Sequence, residues 1–286
     1  MNIMNFASRD VRTVTPFDSL DKTIALMEEA GIHHLVVMED NRVVGMISDR
    51  DVLLSTGWLL GVERQVQTKT GPMTVGPTHV GQVMSRPAVT ITNAETARDA
   101  ALILVNRKIG ALPVLANGRL VAIVTESDLL RWLRELAVGG NRADRLLQSP
   151  VRELMRAHVI SVTSDTPLAE VIDLFRRYRV RHLPVIDNER LKGIISDRDV
   201  RRALGWSNVR EMQADEEGRL IEVPHIAEQI MQSQLRTTTS AAPASDALRL
   251  MLEHHIHSLP VVDADQLVGI ITQTDFIKTI AREQLL

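Results

Sequence analysis

Gly45 to Asp51 reads Gly-Met-Ile-Ser-Asp-Arg-Asp, and Gly193 to Asp199 reads Gly-Ile-Ile-Ser-Asp-Arg-Asp. Looser versions end at Asp128 (Thr125, Glu126, Ser127, Asp128) and at Asp275 (Thr272, Gln273, Thr274, Asp275). In each, an apolar strand-like run ends in a hydroxyl residue, and the acid three places later opens a helical pattern. The four acids are 77, 71 and 76 residues apart, too long a period for a solenoid and long enough for a small βαββα unit. Asp51 to Asp199 and Trp58 to Trp206 are each 148 residues apart, so the chain reads as a two-copy module, doubled.

The third copy is the plainest. Val159 to Thr163 alternates apolar and polar residues as a half-buried strand does, and Ser164, Asp165, Thr166 and Pro167 supply helix-start chemistry. Leu168, Val171, Ile172 and Phe175 then recur on one helical face, with Arg176, Arg177 and Arg179 on the other, and the helix is expected to stop near Tyr178. Leu183 to Ile186 and Leu191 to Ile195 flank the polar turn Asp187 to Arg190 and read as a hairpin, after which Ser196 caps a second helix. Repeat two follows the same order with Val89 to Thr92, Ala97 to Lys108, Leu112 to Leu115, Leu120 to Val124 and a helix from Ser127. Repeat four does so with Leu235 to Thr239, Ala244 to His254, Leu259 to Val262, Leu267 to Ile271 and a helix from Thr274.

A three-stranded sheet with helices on one side leaves its other face bare, and a unit of roughly 55 to 60 residues is marginal alone. Pairing two units through those faces covers both and creates clefts at the seam. The organisation expected is therefore α/β (α+β), with residues 1–140 forming one pair and 141–286 a second. Within them the units span about 1–57 and 81–137 around a linker at 58–80, and about 151–205 and 227–286 around a linker at 206–226. Gly71, Pro72, Gly76 and Pro77 give the first linker a loop composition, as Asp215 to Gly218 does the second. Trp58 and Trp206 are expected to anchor these linkers by packing.

Composition narrows the function classes. Among 286 residues, 44% are apolar and 24% charged, near the globular average. There is no cysteine, which excludes disulfides, thiolate metal sites and a cysteine nucleophile. A formal net charge of -3 supplies no long-range field for nucleic acid. No stretch approaches the apolar length of a membrane span, and the first ten residues lack a signal-peptide core. The expectation is a cytoplasmic protein with no membrane or nucleic-acid partner.

The strand, the helix, the hairpin opening His182-Leu183-Pro184-Val185 and the closing Gly-apolar-apolar-Ser/Thr-x-x-Asp together resemble the cystathionine β-synthase (CBS) domain family, over nearly the whole chain. Four such motifs in two pairs are similar to the γ subunits of AMP-activated protein kinase and their stand-alone relatives. The resemblance implies two pseudo-twofold pairs assembled as a flat disc, with adenine nucleotides as regulatory ligands in the clefts. It implies an allosteric sensor of energy or metabolite state without catalysis or catalytic cofactor, acting on an unknown target protein as a monomeric disc or a homodimer of discs. By the same resemblance, Asp51, Asp128, Asp199 and Asp275 would accept hydrogen bonds from the ribose hydroxyls, a sound pairing because a carboxylate takes two hydroxyl donors at once. Ser48, Thr125, Ser196 and Thr272 would donate to ribose or phosphate at a helix start, where an anion is favoured. His33, His34, Arg181, His182 and His257 occupy the slots that reach phosphate in the family, whereas repeat two has Gly110 and Ala111 there. A cleft lined by those two residues would hold phosphate less well or accept a neutral adenosyl group. The base would lie against the segment of Thr163, Ser164 and Thr166, and against Gly110 and Ala111.

Other readings stand beside these. Ser/Thr-x-x-Asp is also a capping box, although a box more often uses Glu or Gln where this chain has Asp four times. Arg50 and Arg198 suit either a phosphate or a solvated first turn. His254, His255 and His257 suggest a metal only weakly, because polar side chains are at home in a last helical turn, and no metal is expected. Val36 replaces the hairpin proline in repeat one, and Ala122 replaces glycine in repeat two. No Gly-rich phosphate loop, His-Glu-x-x-His helix or nucleophile elbow is present, which argues against an enzyme. The alternatives retained are a ligand-free interaction scaffold and a sensor of S-adenosylmethionine or another nucleotide.

Overall fold

The computed structural model of the chain describes residues 2–55, 65–68, 71–74, 77–204 and 225–283. Trp58, Trp206, about half of the first linker and nearly all of the second lie outside the described residues. Repeat one contains β1 (Thr13–Val14), α1 (Leu20–Glu29), β2 (His34–Glu39), β3 (Arg42–Ser48) and α2 (Asp49–Ser55). A hairpin of β4 (Gln65–Thr68) and β5 (Gly71–Thr74) follows. Repeat two contains β6 (Ile91–Thr92), α3 (Ala97–Arg107), β7 (Ala111–Ala116), β8 (Arg119–Thr125) and α4 (Glu126–Leu136), and a connecting helix, α5 (Arg142–Gln148), leads to the second half. Repeat three has α6 (Leu168–Tyr178), β9 (His182–Asp187), β10 (Arg190–Ser196) and α7 (Asp197–Leu204). Repeat four has α8 (Ala244–Glu253), β11 (Ser258–Asp263), β12 (Gln266–Thr272) and α9 (Gln273–Arg282).

Three details correct the sequence reading. The leading strands expected at Val89–Thr92, Val159–Thr163 and Leu235–Thr239 shrink to β6 and to single parallel bridges, Val162 to Val185 and Thr238 to Val261. The hairpin prolines explain this. Val162 N–H donates to Pro184 O and Val162 O accepts from Ile186 N–H, but the next rung toward the N-terminus needs an N–H from Pro184, which has none. Pro260 ends the repeat-four ladder in the same way, and Pro113 that of repeat two. Secondly, part of the first linker, read as loop, is the β4–β5 hairpin, where Pro72 faces Gln67 on a two-stranded ribbon that tolerates proline at an edge. Thirdly, α5 went unforeseen; Asn141 caps it, accepting from Asp144 N at 2.8 Å, and Ala143 and Leu147 bury its inner face.

The hairpins turn through two residues in each repeat, all of positive φ: Asp40 and Asn41, Asn117 and Gly118, Asn188 and Glu189, Ala264 and Asp265. Such turns match the right-handed twist of the strands they join.

The four units are tied together by reciprocal exchange of their leading segments. Residues 2–8 leave repeat one and lie on repeat two, bridging Asn2 to Thr96 and Ser8 to Ile123, with Ile3 fully buried. Residues 79–85 return the exchange on repeat one, through His79 with Ser19 and Ser85 with Met46. In the second half, residues 150–156 lie on repeat four and 226–232 on repeat three, by the equivalent bridges Arg156 to Ile270 and Gln232 to Ile194. Sheet faces join within each pair: Val36, Ala111 and Ile123 form a small core between repeats one and two, and β10 pairs β12 at Arg190 and Gln266 between repeats three and four.

Helices join the pairs to each other. α2 packs on α7, α3 packs on α9, and α4 packs on α8 and α9. As a result repeats two and four share one continuous apolar core, from Ile91, Leu104 and Leu133 to Leu248, Phe276 and Ile280, whereas repeats one and three keep cores of their own. The expected stripe of Leu168, Val171, Ile172 and Phe175 is buried, and Arg176, Arg177 and Arg179 face solvent.

Candidate functional site

All four Ser/Thr-x-x-Asp motifs form the same local structure. The main-chain N–H of Ser48, Thr125, Ser196 or Thr272 donates to Oδ2 of its own Asp at 2.8 to 3.0 Å, and the hydroxyl donates to that same oxygen at 2.5 to 2.7 Å. The capping role is therefore present in every copy, and it uses only one carboxylate oxygen. Each hydroxyl has a single proton and spends it on this bond, so the donation to a ligand expected of these four residues requires that bond to open. The acids sit deep: Asp128, Asp199 and Asp275 are buried and Asp51 is half-buried.

The motif also brings its second residue to the middle of the molecule. In each repeat, the carbonyl that ends the turn before the hairpin accepts from the first amide of the second helix: His33 O from Asp49, Gly110 O from Glu126, Arg181 O from Asp197 and His257 O from Gln273, at 3.0 to 3.2 Å. The slots expected to reach phosphate and the first helical residues are thus clamped together around a common centre. Sequence reading missed Asp49, Glu126, Asp197 and Gln273. The available signal was that the residue after each Ser/Thr is acidic three times and an amide once.

At the centre these side chains lock across the pairs. Arg198 Nε donates to Asp49 Oδ2 at 3.3 Å, and His33 Nδ1 lies 3.1 Å from the same oxygen. Thr274 Oγ1 donates to Glu126 Oε1 at 3.0 Å, and Ser127 Oγ lies 3.5 Å from Gln273 Oε1. Repeats one and three are joined by charge, repeats two and four by neutral hydroxyls. Two contacts cross diagonally: Arg181 is 3.9 Å from Glu126, and the His33 and His257 rings meet edge to face at 6.0 Å.

Burial sets the protonation of this cluster. It pushes His34 down to about 4, with Arg181 and His33 adding to the effect against the attraction of Asp49. His182 and His257 fall to about 3 by burial, with Arg181 and Arg198 contributing. Burial raises Glu126, and it raises Asp197 with help from the nearby Asp49 charge. Burial alone would raise Asp49 too, but the His33 hydrogen bond and the Arg198 guanidinium overcome it and hold that carboxyl well below the usual range. Burial also lowers Arg50, which the Asp197 charge opposes. At neutral pH, His34, His182 and His257 are therefore uncharged rings, and Arg50, Arg181 and Arg198 bring positive charge to the centre.

The remaining expected residues have clear places. A Cβ on Gly110 would stand 2.8 Å from His34 Nε2, so the missing side chain in repeat two makes room for the histidine of repeat one. Ala111 is buried in the sheet seam with Val36. Thr163 N–H and Oγ1 bond Thr166 Oγ1, Ser164 N–H bonds Asp187, and the carbonyls of Ser164 and Thr166 receive the exchanged segment at Glu228 and Ala227. His254 and His255 are exposed at the end of α8, apart from the central His257. No group of three metal-binding side chains is found among the described residues, nor any helix long and apolar enough to cross a membrane.

Four deep acids at helix starts, presented by paired βαββα units around one polar centre, define a CBS tandem. Residues 3–55, 80–135, 151–205 and 227–282 match the CBS domain, and the chain belongs to that family. Among curated proteins, MJ1404 of Methanocaldococcus jannaschii is 26% identical over 288 residues, which cover 98% of this chain and 62% of that protein. MJ1225 of the same organism is 28% identical over 213 residues, 70% of each. The crystal structure of MJ1225, described as a candidate archaeal homologue of the AMPK γ subunit, matches with a TM-score of 0.78 at 24% identity, covering 98% of this chain and 100% of that one.

Proposed function

We propose that the chain is a non-catalytic regulatory protein that binds adenosyl ligands in the clefts of its CBS pairs and passes occupancy to a partner by shifting how the pairs sit. One observation carries this reading: every Ser/Thr-x-x-Asp acid commits a single oxygen, Oδ2, to its cap, so Oδ1 stands outside the cap, open to a sugar hydroxyl on Asp51 among the described residues and reached on Asp128, Asp199 and Asp275 by exchange with the side chains already there. Arg50, Arg181 and Arg198 supply the charge for phosphates at the centre, and His33, His34, His182 and His257 supply hydrogen bonds. Such a ligand biases the assembly only by its differential affinity for two arrangements. AMP, ADP and ATP are the ligands favoured. S-adenosylmethionine suits the seam at Gly110, where repeat two supplies no basic side chain of its own and the His34 ring of repeat one that fills the space is uncharged at neutral pH.

A second reading, a ligand-free scaffold, draws support from the cations already on Asp128 and Asp275. Thermal denaturation with AMP, ADP, ATP or S-adenosylmethionine separates the two. A sensor gains RT ln(1 + [L]/Kd), about 2.7 kcal/mol at 100 Kd. A scaffold shows no shift with any of the four.

A further inference from the structure

The four acids share one geometry at Oδ2 and differ at Oδ1. Asp275 Oδ1 carries two cations, Arg156 Nε at 3.2 Å and Lys278 Nζ at 3.1 Å. Asp199 Oδ1 accepts from Gln232 Nε2 at 2.9 Å and faces Arg202 Nη1 at 3.7 Å. Asp128 Oδ1 is held by Arg131. Among the described residues, Asp51 Oδ1 has no cation or amide on it.

Two positions produce this pattern. Three residues after each acid stand Leu54, Arg131, Arg202 and Lys278. The exchanged segments end, on repeats one to four, with Ser85, Ser8, Gln232 and Arg156, each bridged to the residue five places before the acid: Met46, Ile123, Ile194 and Ile270. One cation therefore comes from the acid's own helix and the other polar group from the partner repeat. In repeat one both positions lack a charged or amide group.

We propose that the four clefts are graded for sugar, repeat one binding a nucleoside most tightly through Asp51 and repeat four least tightly through Asp275. In this scheme Arg131, Arg156, Arg202 and Lys278 are the specificity-determining residues. The inference rests on the ribose reading above. A neutral hydroxyl that displaces a guanidinium leaves a buried carboxylate without its counter-charge, which costs more than the exposed cation recovers from water. Among the described residues, Asp51 Oδ1 carries no such cation to lose. Burial raises its carboxyl, and the hydrogen bonds from Ser48 oppose that only in part; two sugar hydroxyls are the donors that Oδ1 lacks.

The test is calorimetric titration of the full chain with adenosine, which has no phosphate to engage the central arginines. Asp51→Asn, which keeps an acceptor for the cap, is expected to abolish the tightest class of site, and Asp275→Asn to leave it intact. Ser85→Arg places on repeat one the residue that Arg156 brings to repeat four, and is expected to weaken the tight class about fivefold, the upper worth of an exposed ion pair. Loss of the tight class in Asp275→Asn, or an unchanged isotherm in Ser85→Arg, overturns the grading. If AMP binds and Asp51→Asn and Asp275→Asn weaken it equally, only the grading falls. If neither adenosine nor AMP binds the unaltered chain, the ribose reading falls with it.

Discussion

Gly45, Gly193 and Gly269 stand where an exchanged segment crosses β3, β10 and β12, and in each case a methionine fills the space of the absent Cβ. A Cβ at Gly193 would collide with Met231 Sδ, one at Gly45 would lie 2.9 Å from Met84 Sδ, and one at Gly269 would lie 2.6 Å from Met155 Sδ. Repeat two has Ala122 at this place, and the segment that crosses it brings Ala7 where the others bring Met84, Met155 and Met231. The replacement of glycine by Ala122 seen in the sequence is thus one half of a volume exchange between distant positions. Gly193→Ala is expected to cost about 1–3 kcal/mol by overpacking. Met231→Ala should relieve it, with a coupling of about 1 kcal/mol or more in a denaturant double-mutant cycle. At Gly269 the rescue by Met155→Ala should be weaker, because a Cβ there also meets the backbone oxygen of Arg156 at 2.9 Å, which cannot rotate away.

The second helices, α2, α4, α7 and α9, each deliver an acid for the cleft and a first-turn residue for the centre. Thr274 on α9 gives Glu126 on α4 a hydroxyl donor, so Thr274→Val should cost about 1–2 kcal/mol by leaving a buried acceptor poorer by one bond, measured by urea unfolding. The histidines that enter the hairpins set a pH response. His182 is held near 3 in the folded chain against 6.5 in the free side chain. Between these values the unfolded state binds the extra proton, so stability rises with pH and is lost as pH falls from about 6.5 toward 3. Glu126 and Asp197, raised by burial, act with the opposite sign above the free carboxylate value. Comparison with His182→Gln isolates the histidine: its slope of unfolding free energy between pH 6 and 4 should be shallower by up to about 1.4 kcal/mol per pH unit. An unchanged slope would show that His182 does not titrate differently on folding.

Across the whole molecule, the exchange of leading segments makes each repeat complete only with its partner, and the shared core of repeats two and four makes the two pairs depend on each other. Ile3, near the start of the chain, is fully buried in that core among residues of repeat two. Ile3→Ala is therefore expected to cost about 2–5 kcal/mol, as for an interior isoleucine, and not the small fraction of that usual near a chain end. Circular dichroism should report a lower denaturation midpoint. Hydrogen exchange should show loss of protection in α3, α4 and α9 together, and a loss confined to residues 2–8 would refute the shared core.

The order of elements, the helix Leu168–Tyr178, the helix Ala244–Glu253 to within one residue of its expected end at His254, the presence of the hairpins and the caps were legible in one dimension, because each depends on side chains within a few residues of one another. The four acids were legible for the same reason: the cap that holds Oδ2 is built within one helical turn. Folding in space decided what each Oδ1 meets, since Arg156 and Gln232 arrive from partner repeats 119 and 33 residues away. It also decided the convergence of Asp49, Glu126, Asp197 and Gln273, the pairing of Ala7 with Ala122, and the single core of repeats two and four. All of these are contacts between segments whose separation along the chain carries no periodic signal. Local hydrogen bonding writes itself into spacing, whereas packing between exchanged segments is selected by volume and charge once the units have met.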